Sequence, residues 1–135
     1  FIKSDFEVSG KIHDEDALQN QLIQVLGTKF GKGGIEQEQP LKNGDIVDIL
    51  INKKFVIELK IPENRTALRN LYGQLKEYMD EFENICVFIL DIGSLNKETI
   101  QHYVKRYKDD FGIESIVKKG QKKGQKIEDK NSKIV

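Results

Sequence analysis

The clearest pattern of hydrophobic and polar positions lies in the middle of the chain. Two runs rich in isoleucine, valine and leucine, at residues 46–51 and 55–61, flank the polar residues 52–54. Apolar and β-branched runs of this length, joined by a short polar segment, predict a β-hairpin. The hairpin gives the chain two neighbouring antiparallel strands, and the charged residues within them then have defined positions.

The length of the hairpin loop decides which charges face each other. A three-residue loop at 52–54 sets Asp48 opposite Glu58, and the two-residue period of a strand then puts Asp48, Glu58 and Lys60 on one face. We expect the opposite face to be continuously apolar. It would be formed by Val47, Ile49, Ile51, Phe55, Ile57, Leu59 and Ile61. A two-residue loop at Asn52-Lys53 would shift the pairing by one residue and separate the two carboxylates.

The remaining hydrophobic periodicity predicts three helices and three further strands. One helix begins near Asp14, and a second carries an apolar stripe with helical spacing. That stripe consists of Leu68, Leu71, Tyr72, Leu75, Tyr78, Met79 and Phe82. The other predicted elements are strands at 35–39 and 85–91, a helix at 96–110 and a strand at 113–117. The order αβββαβαβ predicts an α/β protein whose mixed central sheet is flanked by helices.

Composition and charge divide the chain into a folded part and a tail. The chain of 135 residues is 38% hydrophobic, as expected of one folded domain, which we place at residues 1–117. Residues 118–135 contain seven lysines and two acidic residues, a net charge of +5, which leaves −5 on residues 1–117. We expect this segment to be a disordered basic tail. It would either contact phosphates or serve as a solubilising extension.

Two other features of the sequence bear on the cellular location of the protein. No apolar stretch is long enough for a membrane span, so we expect no membrane partner. The single cysteine, Cys86, excludes an internal disulfide framework, and we expect a cytoplasmic protein. Neither observation distinguishes an enzyme from a binding module.

The candidate chemistry lies on the charged face of the hairpin. Two like charges directly opposite each other destabilise a sheet unless a cation lies between them. Mg²⁺ prefers hard oxygen ligands, such as the carboxylates of Asp48 and Glu58. Lys60 could then orient a nucleophile or neutralise charge that develops on a phosphate. The alternative is that these charges are merely a solvated strand face.

At these residues the chain resembles the PD-(D/E)xK, or restriction-endonuclease-like, nuclease superfamily. The resemblance rests on Asp48 and Glu58-x-Lys60, and Val47 stands where the name of the superfamily has proline. Gln74 and Tyr78 resemble the Q-x-x-x-Y motif of the RecB-like branch, which includes proteins similar to Holliday-junction resolvases. The resemblance covers residues 12–92 and implies an αβββαβ core, a Mg²⁺ or Mn²⁺ cofactor, and the backbone carbonyl of Leu59 as a further metal ligand.

Three residues outside the hairpin have two interpretations each. Glu15 falls on the apolar face of the first helix, and the resemblance implies that it assists the metal. An acidic residue in the first turn, after Asp14 as N-cap, also complements the helix macrodipole. Gln74 and Tyr78 would position the nucleic-acid strand or Lys60 if the resemblance holds. Otherwise Tyr78 belongs to the core and Gln74 to the helix surface.

The sequence therefore predicts a metal-dependent DNA endonuclease or exonuclease that hydrolyses phosphodiester bonds. The expected catalytic residues are Asp48, Glu58, Lys60 and Glu15. The expected partner is DNA, with a homodimer or a partner domain as a means of delivering the substrate. One alternative is a noncatalytic nucleic-acid-binding or assembly module with a nuclease-like fold. Another is a small α/β domain that binds protein.

Overall fold

The computed structural model describes residues 14–40 and 46–120 of the chain. This part contains three α-helices, a short 3-10 turn and one sheet of five strands. The helices are α1 (Glu15–Phe30), α2 (Arg65–Tyr78) and α3 (Lys97–Phe111), and the turn is Lys32–Gly34. The strands are β1 (Ile35–Pro40), β2 (Ile46–Ile51), β3 (Phe55–Lys60), β4 (Asn84–Asp91) and β5 (Glu114–Lys119).

The strands lie in the sheet in the order in which they occur in the chain. β1, β2 and β3 pair antiparallel, whereas β3 pairs parallel with β4 and β4 parallel with β5. The parallel pairs require crossover connections, which α2 and α3 supply. The sheet is thus mixed, and the predicted α/β class and order of elements are confirmed.

The hairpin of β2 and β3 has the predicted three-residue loop. Ile51 lies opposite Phe55 and Leu50 opposite Val56, and the amide of Lys54 donates to the carbonyl of Ile51 over 3.0 Å. Asn52 and Lys53, within the loop, both have positive φ, as in the tight turns that match the twist of antiparallel strands. The pairing of Ile51 with Phe55 excludes the alternative two-residue loop, which would pair Ile51 with Lys54.

Helices cover both faces of the sheet. Strand residues that point to opposite faces therefore belong to two separate core clusters. α1 packs through Leu18, Leu22 and Leu26 on the face that carries Ile49, Ile57 and Leu59. α2 and α3 pack on the face that carries Leu50 and Val56, with contributions from Leu71, Leu75, Tyr103 and Tyr107. A sheet that is covered on both sides has little room for charge, and charged groups on its central strands must find partners.

The predicted continuous apolar face is wrong at two positions. Val47 belongs to the cluster of Leu50 and Val56 and not to that of Ile49, and Phe55 is exposed. The regular alternation fails at Asp48, where the β1–β2 ladder passes from Gln37–Ile49 to Gln39–Val47 without a pair at Asp48. Glu38, which would face Asp48 there, has a φ of 49° and departs from extended geometry.

Two predicted boundaries also differ from the structure. α2 ends at Tyr78, and Met79 is exposed in its C-cap position, so the apolar stripe of the helix is shorter than predicted. β5 extends through Lys118 and Lys119, which pair with Leu90 and Asp91. These two lysines are therefore part of the sheet, and most of the predicted tail, residues 121–135, lies outside the described residues. Among the described helices, none is long and apolar enough to cross a membrane.

Candidate functional site

Asp48 and Glu58 face each other one residue beyond the regular ladder of β2 and β3. The paired positions run from Ile51–Phe55 to Ile49–Ile57. At Asp48 and Glu58, hydrogen bonds from backbone amides to side-chain carboxylates replace the backbone-to-backbone bonds of the ladder. The amide of Leu59 donates to Asp48 Oδ2 over 2.8 Å, and the amide of Asp48 donates to Glu58 Oε1 over 3.3 Å. Each carboxyl group is thus anchored on the backbone of the opposite strand.

Glu58 is a buried carboxyl group with a defined set of partners. Its relative exposure is 3%, which is unusual for a glutamate. The hydroxyl of Tyr78 lies 3.2 Å from Glu58 Oε2 and 3.1 Å from the carbonyl oxygen of Ile46. Tyr78 therefore ties α2 both to the acidic residue and to the start of β2. The predicted motif residue is a direct neighbour of the predicted carboxylate.

Burial disfavours the ionised form of both carboxyl groups, and in each case the charge of a neighbouring carboxylate adds to this effect. For Glu58, burial and then the charge of Asp48 raise the pKa to about 8. Burial also raises the pKa of Asp48, although the hydrogen bond from the Leu59 amide partly opposes this shift. The two side chains also lie close enough to influence each other's ionisation. At neutral pH Glu58 therefore keeps its proton unless a cation replaces it.

Lys60 and Glu15 meet at the end of β3, next to the acidic pair. Glu15 Oε2 accepts a hydrogen bond of 3.1 Å from the amide of Ile61 and lies 4.0 Å from Lys60 Nζ. Its charge also contributes to the raised pKa of Asp48. Asp14 caps α1 by accepting from the amide of Ala17 over 2.7 Å. Asp14 is thus the predicted N-cap, while Glu15 faces the sheet.

Gln19 is a residue of this site to which the sequence pattern assigned no role. It lies one turn after Glu15 on α1, is 6% exposed, and donates from Nε2 to the carbonyl oxygen of Asp48 over 2.6 Å. A long polar side chain among Leu18 and Leu22, on the buried face of a helix, needs a partner in the core. That requirement is the signal by which the sequence could have revealed it.

Gln74 has a different environment from the other predicted site residues. Its Oε1 atom is buried and accepts no hydrogen bond in the structure, so it does not bind the ammonium group of Lys60. A buried amide oxygen without a donor is costly in a folded protein.

Leu59, the remaining predicted residue, has a buried side chain in the core under α1, and its amide donates a hydrogen bond to Asp48.

The donor set suits a hard cation that is bound by few protein ligands. Among residues 14–40 and 46–120, no group of three or more histidine, cysteine, aspartate or glutamate side chains is placed to hold a metal ion. Mg²⁺ is commonly held by only one or two carboxylates, with water and substrate oxygens completing its shell. Asp48 and Glu58 meet that requirement, and a divalent cation would offset the cost of burying their negative charges, which is the largest cause of their raised pKa values.

The fold and the site together define an α/β protein in which a buried glutamate and a half-buried aspartate face each other on neighbouring strands of a mixed sheet. No protein-family model, no curated protein and no solved structure matches this chain. The function must therefore be argued from the residues of the site.

Proposed function

We propose that the protein is a Mg²⁺- or Mn²⁺-dependent nuclease of the restriction-endonuclease-like fold that hydrolyses phosphodiester bonds in DNA. Support comes from the αβββαβ order of the first six elements and from the contact between Asp48 and Glu58 on neighbouring strands. Lys60 lies two residues beyond Glu58, at the end of the same strand. These are the relations that the resemblance to the superfamily implies.

The observation that carries the proposal is that the buried carboxyl group of Glu58 and the half-buried carboxyl group of Asp48 face each other on neighbouring strands. A fold without use for a cation would gain stability from an apolar pair at these positions, because isolated buried charges are strongly disfavoured. Backbone amides and Tyr78 instead hold specific oxygens of Asp48 and Glu58 in place. A prearranged pair of oxygen donors is what a catalytic cation requires.

The residues of the chain would divide the work in the following way. Asp48 and Glu58 would hold the cation, with the Leu59 carbonyl as an additional ligand. When bound, the cation would supply Lewis-acid stabilisation of the phosphate and a more acidic water. Lys60, whose side chain is 21% exposed, would orient the attacking water or neutralise charge on the phosphate. Glu15 would hold the end of β3 through the Ile61 amide and keep Lys60 oriented.

Tyr78 and Gln74 would have supporting roles. Tyr78 would fix the orientation of Glu58, because its hydroxyl lies within hydrogen-bonding distance of Oε2. Gln74 precedes Tyr78 by one turn of α2, and its Oε1 atom has an open capacity to accept a hydrogen bond. A donor from the substrate or from Lys60, after movement on binding, would satisfy it.

The test is a cleavage assay with conservative variants. We expect the parent protein to cleave plasmid, linear duplex, single-stranded or branched DNA in Mg²⁺ or Mn²⁺, and not in chelator. Asp48→Asn and Glu58→Gln keep the hydrogen-bond acceptors and should abolish cleavage. Lys60→Met keeps the apolar stem and should lower turnover by about two orders of magnitude while DNA binding survives. Glu83→Gln, on an exposed residue before β4, is the matched control.

The outcome also separates the nuclease from the noncatalytic alternative. If the parent binds DNA but cleaves none of these substrates in either metal, the protein is a binding or assembly module with a nuclease-like fold. If Asp48→Asn or Glu58→Gln cleaves at the parental rate, the assigned site is wrong. Cleavage that persists in chelator would exclude the metal-dependent mechanism.

A further inference from the structure

We propose that Gln19 is a positioning residue that holds the main chain of Asp48 so that the Asp48 carboxyl group faces Glu58. Its catalytic consequence rests on the proposed nuclease function, whereas the positioning itself does not. The observation behind it is the 2.6 Å hydrogen bond from Gln19 Nε2 to the Asp48 carbonyl oxygen, made by a side chain that is 6% exposed.

Asp48 needs such support because regular sheet pairing does not fix it. The β1–β2 ladder passes over the Glu38–Asp48 position, and the β2–β3 ladder stops at Ile49–Ile57. At Asp48, hydrogen bonds that involve side chains hold β2 in place. Glu58 accepts from the Asp48 amide, Leu59 donates to the Asp48 carboxylate, and Gln19 donates to the Asp48 carbonyl. The Gln19 bond joins β2 to the helix layer, while the other two join β2 to β3.

α1 uses two residues of one face to hold both strands of the site. Glu15 and Gln19 are four residues apart and therefore project from the same side of the helix. Glu15 binds the Ile61 amide just after β3, and Gln19 binds the Asp48 carbonyl within β2. The helix, anchored between them by Leu18, thus sets the distance between the carboxyl group of Asp48 and the ammonium group of Lys60.

Removal of the Gln19 donor should loosen Asp48 without a general loss of packing. Gln19→Met is unbranched and of similar length but cannot donate a hydrogen bond. The carbonyl of Asp48 then loses a buried partner. We expect the main chain at Asp48 to shift. The hydrogen bond from the Leu59 amide to Asp48 Oδ2 should then weaken, because it depends on the position of Asp48.

The first experiment measures amide hydrogen exchange in the full, metal-free chain. In Gln19→Met we expect the Leu59 amide to exchange about tenfold faster, the factor that corresponds to one weakened buried hydrogen bond. The Ile57 amide, within the regular ladder, should keep its parental rate. Leu22→Ala removes packing from the same helix face and should accelerate Leu59 and Ile57 by the same factor. Gln24→Met, on the exposed side of α1, should change neither rate.

Two results of this experiment would overturn the proposal. One is an unchanged Leu59 exchange rate in Gln19→Met. The other is equal acceleration of Leu59 and Ile57 in that variant, because Gln19 would then act only on general stability. Both comparisons use protein without metal and without DNA, so they stand whether or not the protein is a nuclease.

The second experiment measures the catalytic consequence. Partners that orient metal ligands typically change metal affinity by about 10- to 100-fold when they are removed. In Gln19→Met we expect the Mg²⁺ concentration for half-maximal cleavage to rise by about that factor, while the rate at saturating Mg²⁺ stays close to the parental one. An unchanged Mg²⁺ requirement in an active parent would overturn the catalytic role. A parent that cleaves nothing would refute the nuclease, and the exchange data alone would then decide the role of Gln19.

Discussion

At the scale of single residues, the protonation of Glu58 links the site to the stability of the fold. The pKa of Glu58 is about 8 in the folded protein, against an ordinary value of 4.5. Below pH 4.5 the group is protonated in both the folded and unfolded states, so its full stabilisation is present and does not change with pH. Between these values only the folded state keeps the proton, so the stabilisation present at low pH is lost as the pH rises towards 8.

We therefore predict that the free energy of unfolding of the metal-free protein decreases between about pH 4.5 and pH 8. One proton contributes a slope of at most about 1.4 kcal/mol per pH unit. Urea denaturation across this range measures the slope. Glu58→Gln should flatten it and should be more stable than the parent at pH 8, whereas Glu83→Gln should follow the parental curve. Parallel curves for the parent and Glu58→Gln would show that Glu58 ionises normally.

At the scale of secondary-structure elements, two neighbouring acidic residues at the start of α1 make different contacts. Asp14 caps the helix through the Ala17 amide, while Glu15 contacts Ile61 and lies near Lys60. Asp14→Ala should therefore reduce stability by about 1 kcal/mol, the usual cost of a lost N-cap, and leave cleavage intact.

Glu15→Gln provides the matched change on the next residue. The amide oxygen can still accept from Ile61, so denaturation should show little loss of stability, but removal of the charge should raise the Mg²⁺ requirement of cleavage. If Asp14→Ala and Glu15→Gln change only stability, and to a similar extent, Glu15 is merely a charge that complements the helix dipole.

The elements of the fold differ in how far their sequence determines them. The hairpin was predictable, because a polar triplet separates two apolar runs. The three-residue loop was one of two that the sequence allowed, and Ile51 opposite Phe55 confirms it. The position of Val47 was not predictable from alternation, since the regular pairing fails beside Asp48. Irregularity of this kind depends on contacts between elements that are distant in sequence.

The site shows the same division between local and distant information. The facing of Asp48 and Glu58 followed from the register, and the inward orientation of Glu15 followed from helical periodicity. The contact of Gln19 with the Asp48 carbonyl joins residues 29 positions apart and depends on how α1 packs against the sheet. The end of β5 at Lys119 also depends on tertiary pairing, because lysines alone predict a solvated segment.

At the scale of the whole molecule, charge is distributed unevenly along the chain. Five lysines lie in residues 121–135, whereas residues 1–117 carry a net charge of −5. The described fold ends with Gly120, whose amide donates to the carbonyl of Asp91 over 2.9 Å. A truncation after Gly120 therefore keeps β5 and its last described contact.

We predict that deletion of residues 121–135 weakens binding to all duplex DNA sequences to a similar extent. The dependence of log affinity on log salt concentration should flatten by up to about 0.9 for each phosphate contact that is lost. Fluorescence anisotropy at several salt concentrations measures both quantities, and thermal melting should be unchanged. Identical salt slopes with and without residues 121–135 would identify these lysines as a solubilising extension.

We propose that Asp48 and Glu58, which hold a proton in the metal-free protein at neutral pH, exchange it for a divalent cation. Calorimetric titration of Mg²⁺ into the metal-free protein at pH 7, repeated in buffers of different ionisation enthalpy, counts the protons released per cation bound. Because the pKa of Glu58 is about 8, we predict release of about one proton in the parent and of none in Glu58→Gln. Absence of Mg²⁺ binding, or binding without proton release, would contradict the exchange of a proton for a cation at Asp48 and Glu58.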